Sequence, residues 1–158
     1  MNRAQEYFDT RQHEVKRYKK FGNVYFRPAG LQEMLCTMVS GRLETIKKAK
    51  LGEIIIKNLE LGTSAEQFIM GDKAHFESRY DITDQTIFLD GNNWGVARAK
   101  GELDGVVYHG ERFVFVAPWG SYMECLDGDV IGKLPTEDSS KVYRIDANSM
   151  EKTYKEVK

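Results

Sequence analysis

The sequence predicts an α+β fold: two N-terminal helices packed on a mainly antiparallel β meander, closed by a short C-terminal helix. Three observations predict it. Apolar residues recur at helical intervals as far as residue 52. From Glu53 the apolar period falls to two. Turn residues then punctuate the chain at the roughly 8–12-residue spacing of an antiparallel sheet, sandwich or partly closed barrel. Helical stretches followed by strands favour α+β packing over alternating βαβ units. With 158 residues the chain reads as a single domain, with a helical portion over 1–52, a β-rich portion over 53–147 and a terminal helix over 148–158.

The first helix is predicted over 3–20 from Ala4, Tyr7, Phe8, Val15 and Tyr18. Acidic residues lie early and lysines late, as the helix dipole favours, and Gly22 stops it. A short strand follows at 23–27, broken by Pro28-Ala29-Gly30. Leu31, Met34, Leu35, Met38, Leu43, Ile46 and Leu51 then predict a second helix, bent or split at Ser40-Gly41. A strand is predicted over 53–61, ended by Gly62-Thr63-Ser64. Gly71-Asp72 reads as a hairpin turn between strands at 67–70 and 73–80. Further strands are predicted at 85–89, 94–100, 106–109, 112–117, 121–126, 130–134 and 141–145. Asn148-Ser149 would cap a last helix over 150–157.

Composition narrows the function classes. The chain is 41% hydrophobic and 30% charged, which excludes a disordered chain. Its net charge of -1 removes the usual electrostatic argument for a general nucleic-acid or membrane-surface binder. The basic residues nevertheless cluster at predicted helix ends, which leaves room for a local anion site. The longest apolar run, 113–117, is far shorter than the roughly 20 residues that cross a bilayer. The N-terminus is polar, so a cytoplasmic protein with no membrane partner is expected. Cys36 and Cys125 sit in apolar company and read as reduced core residues.

No P-loop, nucleophile elbow or Cys-x-x-Cys pair is present, and no cofactor is predicted. In a strand, Lys73, His75, Glu77 and Arg79 would share one face, either a solvated sheet surface or a cleft for an anion. Trp94 and Trp119 stand beside turn residues, where they either lid the sheet or stack on a ring, with Tyr122 and Tyr143 nearby. Arg27, just before Pro28, could meet a phosphate. The candidate ligand contacts are therefore Arg27, His75, Arg79, Trp94, Trp119 and Tyr122. His75-Phe76-Glu77 and His109-Gly110-Glu111 raise a weaker alternative, a two-His, two-carboxylate metal site for a hydrolase or isomerase. Glu124, flanked by Met123 and Cys125, is expected to face outward.

Residues 122–133, 142–145 and 150–157 resemble the closing part of small bacteriophage and prophage proteins known by a Pro-Gly-Asp-Tyr-Gly motif. Met150-Glu151-Lys152-Thr153-Tyr154 is similar to that family's closing helix, whereas Leu134–Ser140 stands where the name-giving motif would lie. The resemblance covers about a quarter of the chain and carries no established activity. It implies a phage-related accessory protein of a bacterial cytoplasm. Together these readings predict a non-catalytic protein that binds a small anionic ligand, a nucleotide for example, or a host protein. The alternatives are the metal-dependent enzyme and an assembly protein that forms a homo-oligomer.

Overall fold

In chain order the elements of the computed structural model are α1 (Arg3–Thr10), β1 (Lys16–Lys20), β2 (Asn23–Pro28), β3 (Met34–Val39), β4 (Arg42–Lys48), β5 (Glu53–Asn58), β6 (Gln67–Asp72), α2 (Lys73–Arg79), β7 (Tyr80–Leu89), β8 (Asn92–Ala99), β9 (Glu102–Val107), β10 (Phe113–Val116), β11 (Tyr122–Cys125), β12 (Val130–Lys133), β13 (Tyr143–Ile145), α3 (Ala147–Thr153) and β14 (Tyr154–Glu156). Single 3₁₀ turns lie at Gln12–Glu14 and Ser139–Lys141. The structure describes residues 2–30, 32–39, 42–58, 67–89 and 92–158, with 36–39, 42–45, 47, 58, 84–89 and 92 described by backbone alone. Among the described residues all strand pairs are antiparallel, and the chain divides into two compact units, Met1–Lys20 with Glu102–Lys158, and Phe21–Gly101. Neither boundary coincides with the shift in sequence period near residue 52.

The first unit is built on a sheet of order β13-β12-β9-β1-β14. Alternation sends Leu103 and Val130 to one face, where Met150 of α3 covers them, with Tyr18, Tyr143, Ile145 and Tyr154 around the edge. Val106 and Ile131 point to the other face and meet Ala4 and Phe8 of α1 and the inner side of the β10–β11 hairpin, which supplies Phe113, Phe115, Met123 and Cys125. Tyr7 anchors α1: its hydroxyl donates to the Val107 carbonyl at 3.1 Å and accepts the His109 amide at 3.1 Å. The buried Asp129 carboxylate accepts the amides of Leu126 at 2.9 Å and Ala147 at 3.0 Å, and so fixes the turn before β12 to the start of α3. Asp146 caps that helix by accepting the amides of Asn148 and Ser149.

The second unit is built on a sheet of order β6-β5-β2-β8-β7. On one face Val24, Ile54, Ile56 and Ala97 pack with Phe76 of α2 and Tyr80. The Phe76 and Tyr80 rings, four residues apart, stack at 5.2 Å. On the other face Ile55 and Trp94 pack with Leu35 of the separate β3–β4 hairpin. Both five-stranded sheets have two end strands and neither closes into a barrel.

The mixed, mainly antiparallel architecture agrees with the sequence, but the expected helix layout does not hold. The predicted first helix ends at Thr10, and 16–20 form β1 instead. There Tyr18 pairs with Leu103 and Glu156, so two strand partners outweigh the local helical spacing. The predicted second helix is the β3–β4 hairpin. Val39 pairs with Arg42, and Ser40-Gly41, the expected bend, lies outside the described residues. The expected strand over 73–80 is α2, because the Asp72 side chain accepts the His75 amide and caps a helix where a hairpin turn was predicted. The last helix starts earlier than predicted, at Ala147, and yields to β14 at Tyr154, which pairs with Lys20. The predicted strand end at 59–61, the Gly62-Thr63-Ser64 stop and Asp90-Gly91, between the strands predicted at 85–89 and 94–100, lie outside the described residues.

Candidate functional site

The β10–β11 hairpin owes its shape to Pro118-Trp119-Gly120. Gly120 donates its amide to the Ala117 carbonyl at 2.9 Å, and Ala117 donates to the Ser121 carbonyl at 2.8 Å. Pro118 supplies the fixed φ that the turn's second position favours, and Gly120, at φ +91°, takes the left-handed conformation of the following bulge. Trp119 is thereby held at the tip, 52% exposed, with its ring 5.7 Å from Tyr143. Period-two alternation does the rest. Phe113, Phe115, Met123 and Cys125 go inward, while Val114, Val116, Tyr122 and Glu124 go outward. Val116 stands opposite Tyr122, and Val114 stands opposite Glu124. Both valines are about half exposed and Tyr122 is 74% exposed. Arg112 holds Glu124 in an ion pair at 2.5 Å, which confirms the outward placement of this carboxylate. The outcome is an apolar, aromatic surface with a charged pair at one end.

One pair of predicted contacts meets in the second unit. Arg27 of β2 places its guanidinium carbon 5.1 Å from the ring centre of Trp94 on β8. Trp94 is 1% exposed, so its ring is a packed part of the sheet. Arg27 binds Glu33 through two nitrogens, at 2.8 and 2.5 Å, and Glu33 also accepts the Gly30 amide at 2.9 Å. The Arg27 hydrogen bonds hold the Glu33 carboxyl at a pKa of about 2, against burial, which acts the other way. The buried Lys57 ammonium lies 5.9 Å from the same indole ring. This cluster is internal, and its arginine is already matched by a carboxylate.

His75 and Arg79 lie on α2, which packs on the sheet face opposite to the one that carries Arg27 and Trp94. His75 is exposed. The Arg79 guanidinium covers Gly101, where an added Cβ would clash with it. The six candidate contacts therefore do not form one cleft: Arg27 meets Trp94, His75 and Arg79 lie on the opposite face of that sheet, and Trp119 and Tyr122 share the β10–β11 hairpin, with the Trp119 ring beside Tyr143. The geometry assumed for the metal alternative also changes. On a helix, His75 and Glu77 are about 200° apart around the axis and no longer share a face. His109 lies 3.6 Å from Asp127, while Glu111 uses its carbonyl to accept the Tyr108 hydroxyl. Among the described residues no group of three or more His, Cys, Asp or Glu could hold a metal ion. Cys125 is buried, as expected, while the Cys36 side chain lies outside the described part.

Two features escaped the sequence reading. Glu33 is one, although an acid six residues after Arg27 and across a Pro-Ala-Gly break is a detectable signal. The outward valines are the other: the alternating Phe113-Val114-Phe115-Val116 already says that one residue type faces in and the other out. Compared with known proteins, the chain matches no family model, no curated protein and no solved structure.

Proposed function

We infer that this chain is a non-catalytic accessory binding protein and that its partner is another protein, docked on the β10–β11 hairpin. The observation that carries this reading is the exposure of Tyr122, at 74%, beside Val114 and Val116 on the outward face of a hairpin whose tip carries Trp119, 52% exposed. Tryptophan and tyrosine are the residues most enriched at energetic centres of protein interfaces, because each buries a large rigid area at low entropic cost. Large exposed apolar groups clustered together mark interaction surfaces, whereas isolated ones carry no such meaning. The small-anion reading loses support, because Arg27 is engaged by Glu33 and Trp94 is covered. The resemblance of 122–157 to phage accessory proteins fits a protein whose work is to occupy a host or phage component.

The experiment is a quantitative capture of proteins from the source organism with the wild-type chain and with Trp119→Ala, Tyr122→Ala and the double variant. Loss of each aromatic anchor should weaken retention of one specific partner by about tenfold or more, equivalent to about 1–2 kcal/mol. A partner retained equally by the double variant would show that the hairpin is not the docking surface.

A further inference from the structure

The second unit exposes its own apolar surface, on the β3–β4 hairpin. Leu35 turns inward to Ile55 and Trp94. Its neighbour Met34 turns outward and stands opposite Lys48, and Ile46 lies two residues from Lys48 on the same face. Met34 is 59% exposed and Ile46 58%. Immediately beyond β4 the chain reverses in a turn closed by the Glu53 amide donating to the Lys50 carbonyl at 3.1 Å, with Gly52 at φ +88°. That turn projects Leu51, which is 82% exposed. Lys48 and Lys50 are exposed beside these three aliphatic side chains.

Charge singles out the same stretch. Residues 42–51 hold Arg42, Lys47, Lys48 and Lys50 against one acid, Glu44; Lys47 stands opposite the inward Leu35, so Lys48 and Lys50 are the two beside the exposed apolar groups, and the Glu53 carboxylate accepts the Lys50 amide at 2.6 Å. The stretch thus concentrates four of the ten basic residues of 21–101 and only one of its ten acidic residues. The near-zero net charge of the whole chain conceals this local excess.

We propose that the β3–β4 hairpin and its Leu51 turn dock on an anionic lipid surface, with Leu51, Ile46 and Met34 entering the interfacial layer and Lys48 and Lys50 meeting lipid phosphates. The residue types decide between a bilayer and an acidic protein. Lysine is depleted at protein interfaces, and leucine is under-represented among their energetic centres. Both suit a bilayer: aliphatic side chains leave water for the acyl boundary, while flexible lysine stems keep their ammonium groups at the headgroups. Single-stranded nucleic acid would call for exposed aromatic rings to stack on bases, and a duplex, read through its phosphates, gives no role to the exposed aliphatic groups found here. The attachment is peripheral; among the described residues no helix is long and apolar enough to cross a membrane. It uses residues other than Trp119 and Tyr122, so it stands or falls independently of the protein-partner reading.

The test is co-sedimentation of the full chain with vesicles of phosphatidylcholine alone and of phosphatidylcholine mixed with phosphatidylserine, at low and at physiological salt. The expected result is at least about tenfold stronger partition onto the serine-containing vesicles, weakening with salt. Lys48→Ala with Lys50→Ala should lower that partition by about thirtyfold, from roughly 1 kcal/mol per lysine. Leu51→Ser should lower it about tenfold on both vesicle types. All three positions are exposed, and circular dichroism on each variant checks that the fold is kept. Equal partition onto neutral and anionic vesicles, no partition onto either, or variants that bind like wild type would each overturn the proposal. So would binding to polyglutamate without binding to vesicles, which would assign the surface to an acidic polypeptide.

Discussion

Arg27 and Glu33 meet through two nitrogen–oxygen contacts of 2.8 and 2.5 Å, with the guanidinium laid against the buried Trp94 ring. The pair joins β2 to the segment that leads into β3, where the Ala49 amide donates to the Glu33 carbonyl at 2.7 Å. It therefore ties the base of the β3–β4 hairpin to the sheet of the second unit.

This pair makes stability depend on pH. The Glu33 carboxyl falls from an ordinary 4.5 to about 2 in the folded chain. A lowered carboxyl pKa adds stability above the unfolded value and loses it as pH falls through the folded one. The loss should run from about pH 4.5 down to about 2. After allowance for solvent screening the contribution is about 1–2 kcal/mol. Urea titrations across that range should show it, and Glu33→Gln should flatten that part of the profile while lowering stability at pH 7 by about 2 kcal/mol. An unchanged pH profile in the variant would contradict the assignment.

Lys19 of β1 stands opposite Glu102 of β9, so the chain leaves and re-enters the first unit on neighbouring strands. The apolar clusters of that unit, around Phe8 and around Leu103, are made from its own residues. A chain that runs from residue 1 to Lys19, then Asn-Gly, then Glu102 to the end should therefore fold, since that dipeptide closes a two-residue hairpin. Dispersed amide resonances and one cooperative thermal transition are expected. A collapsed product without fixed tertiary signals would show that 21–101 is required.

Gly132 of β12 lies beneath Leu103, and an added Cβ would stand 2.9 to 3.0 Å from the Leu103 side chain. Leu103 is fully buried on the central strand of the sheet, packed with Val130 and Met150. Gly132→Ala should cost about 1–3 kcal/mol through overpacking, measured by thermal or urea unfolding. Gly132→Ala combined with Leu103→Ala should cost less than the two single changes summed, because the smaller side chain removes the clash. Strict additivity would place the strain elsewhere.

Much of the β portion was legible in the sequence. The Phe113–Val116 alternation, the Pro118-Trp119-Gly120 turn and the strand at 130–134 all carry their local signal openly, and the structure agrees. Short segments were less readable. Ala74, Phe76, Ser78 and Tyr80 satisfy a period of two, yet Phe76 and Tyr80 also satisfy i,i+4, and the Asp72 cap decides for the helix. Met34 to Ile46 spaced well as a helix, but pairing across the Val39–Arg42 reversal made it a hairpin. The division into two units left no local mark, because it rests on β1 meeting β9 across 21–101. For the candidate site, Trp119 and Tyr122 could be picked out by residue type and turn position. That Trp94 is covered while Trp119 is exposed depends on the sheet face each occupies and on what packs over it.

The central claim, that Trp119 and Tyr122 form a protein-docking surface, is tested most directly by placing a photo-crosslinking phenylalanine analogue at position 122 in the full chain. Irradiation in extract of the source organism should give one dominant adduct from position 122, none from the exposed position 141 on the 3₁₀ turn, and a severalfold lower yield when Trp119→Ala is added. Equal adducts from both positions, or an adduct from position 122 that is indifferent to Trp119, would contradict the account.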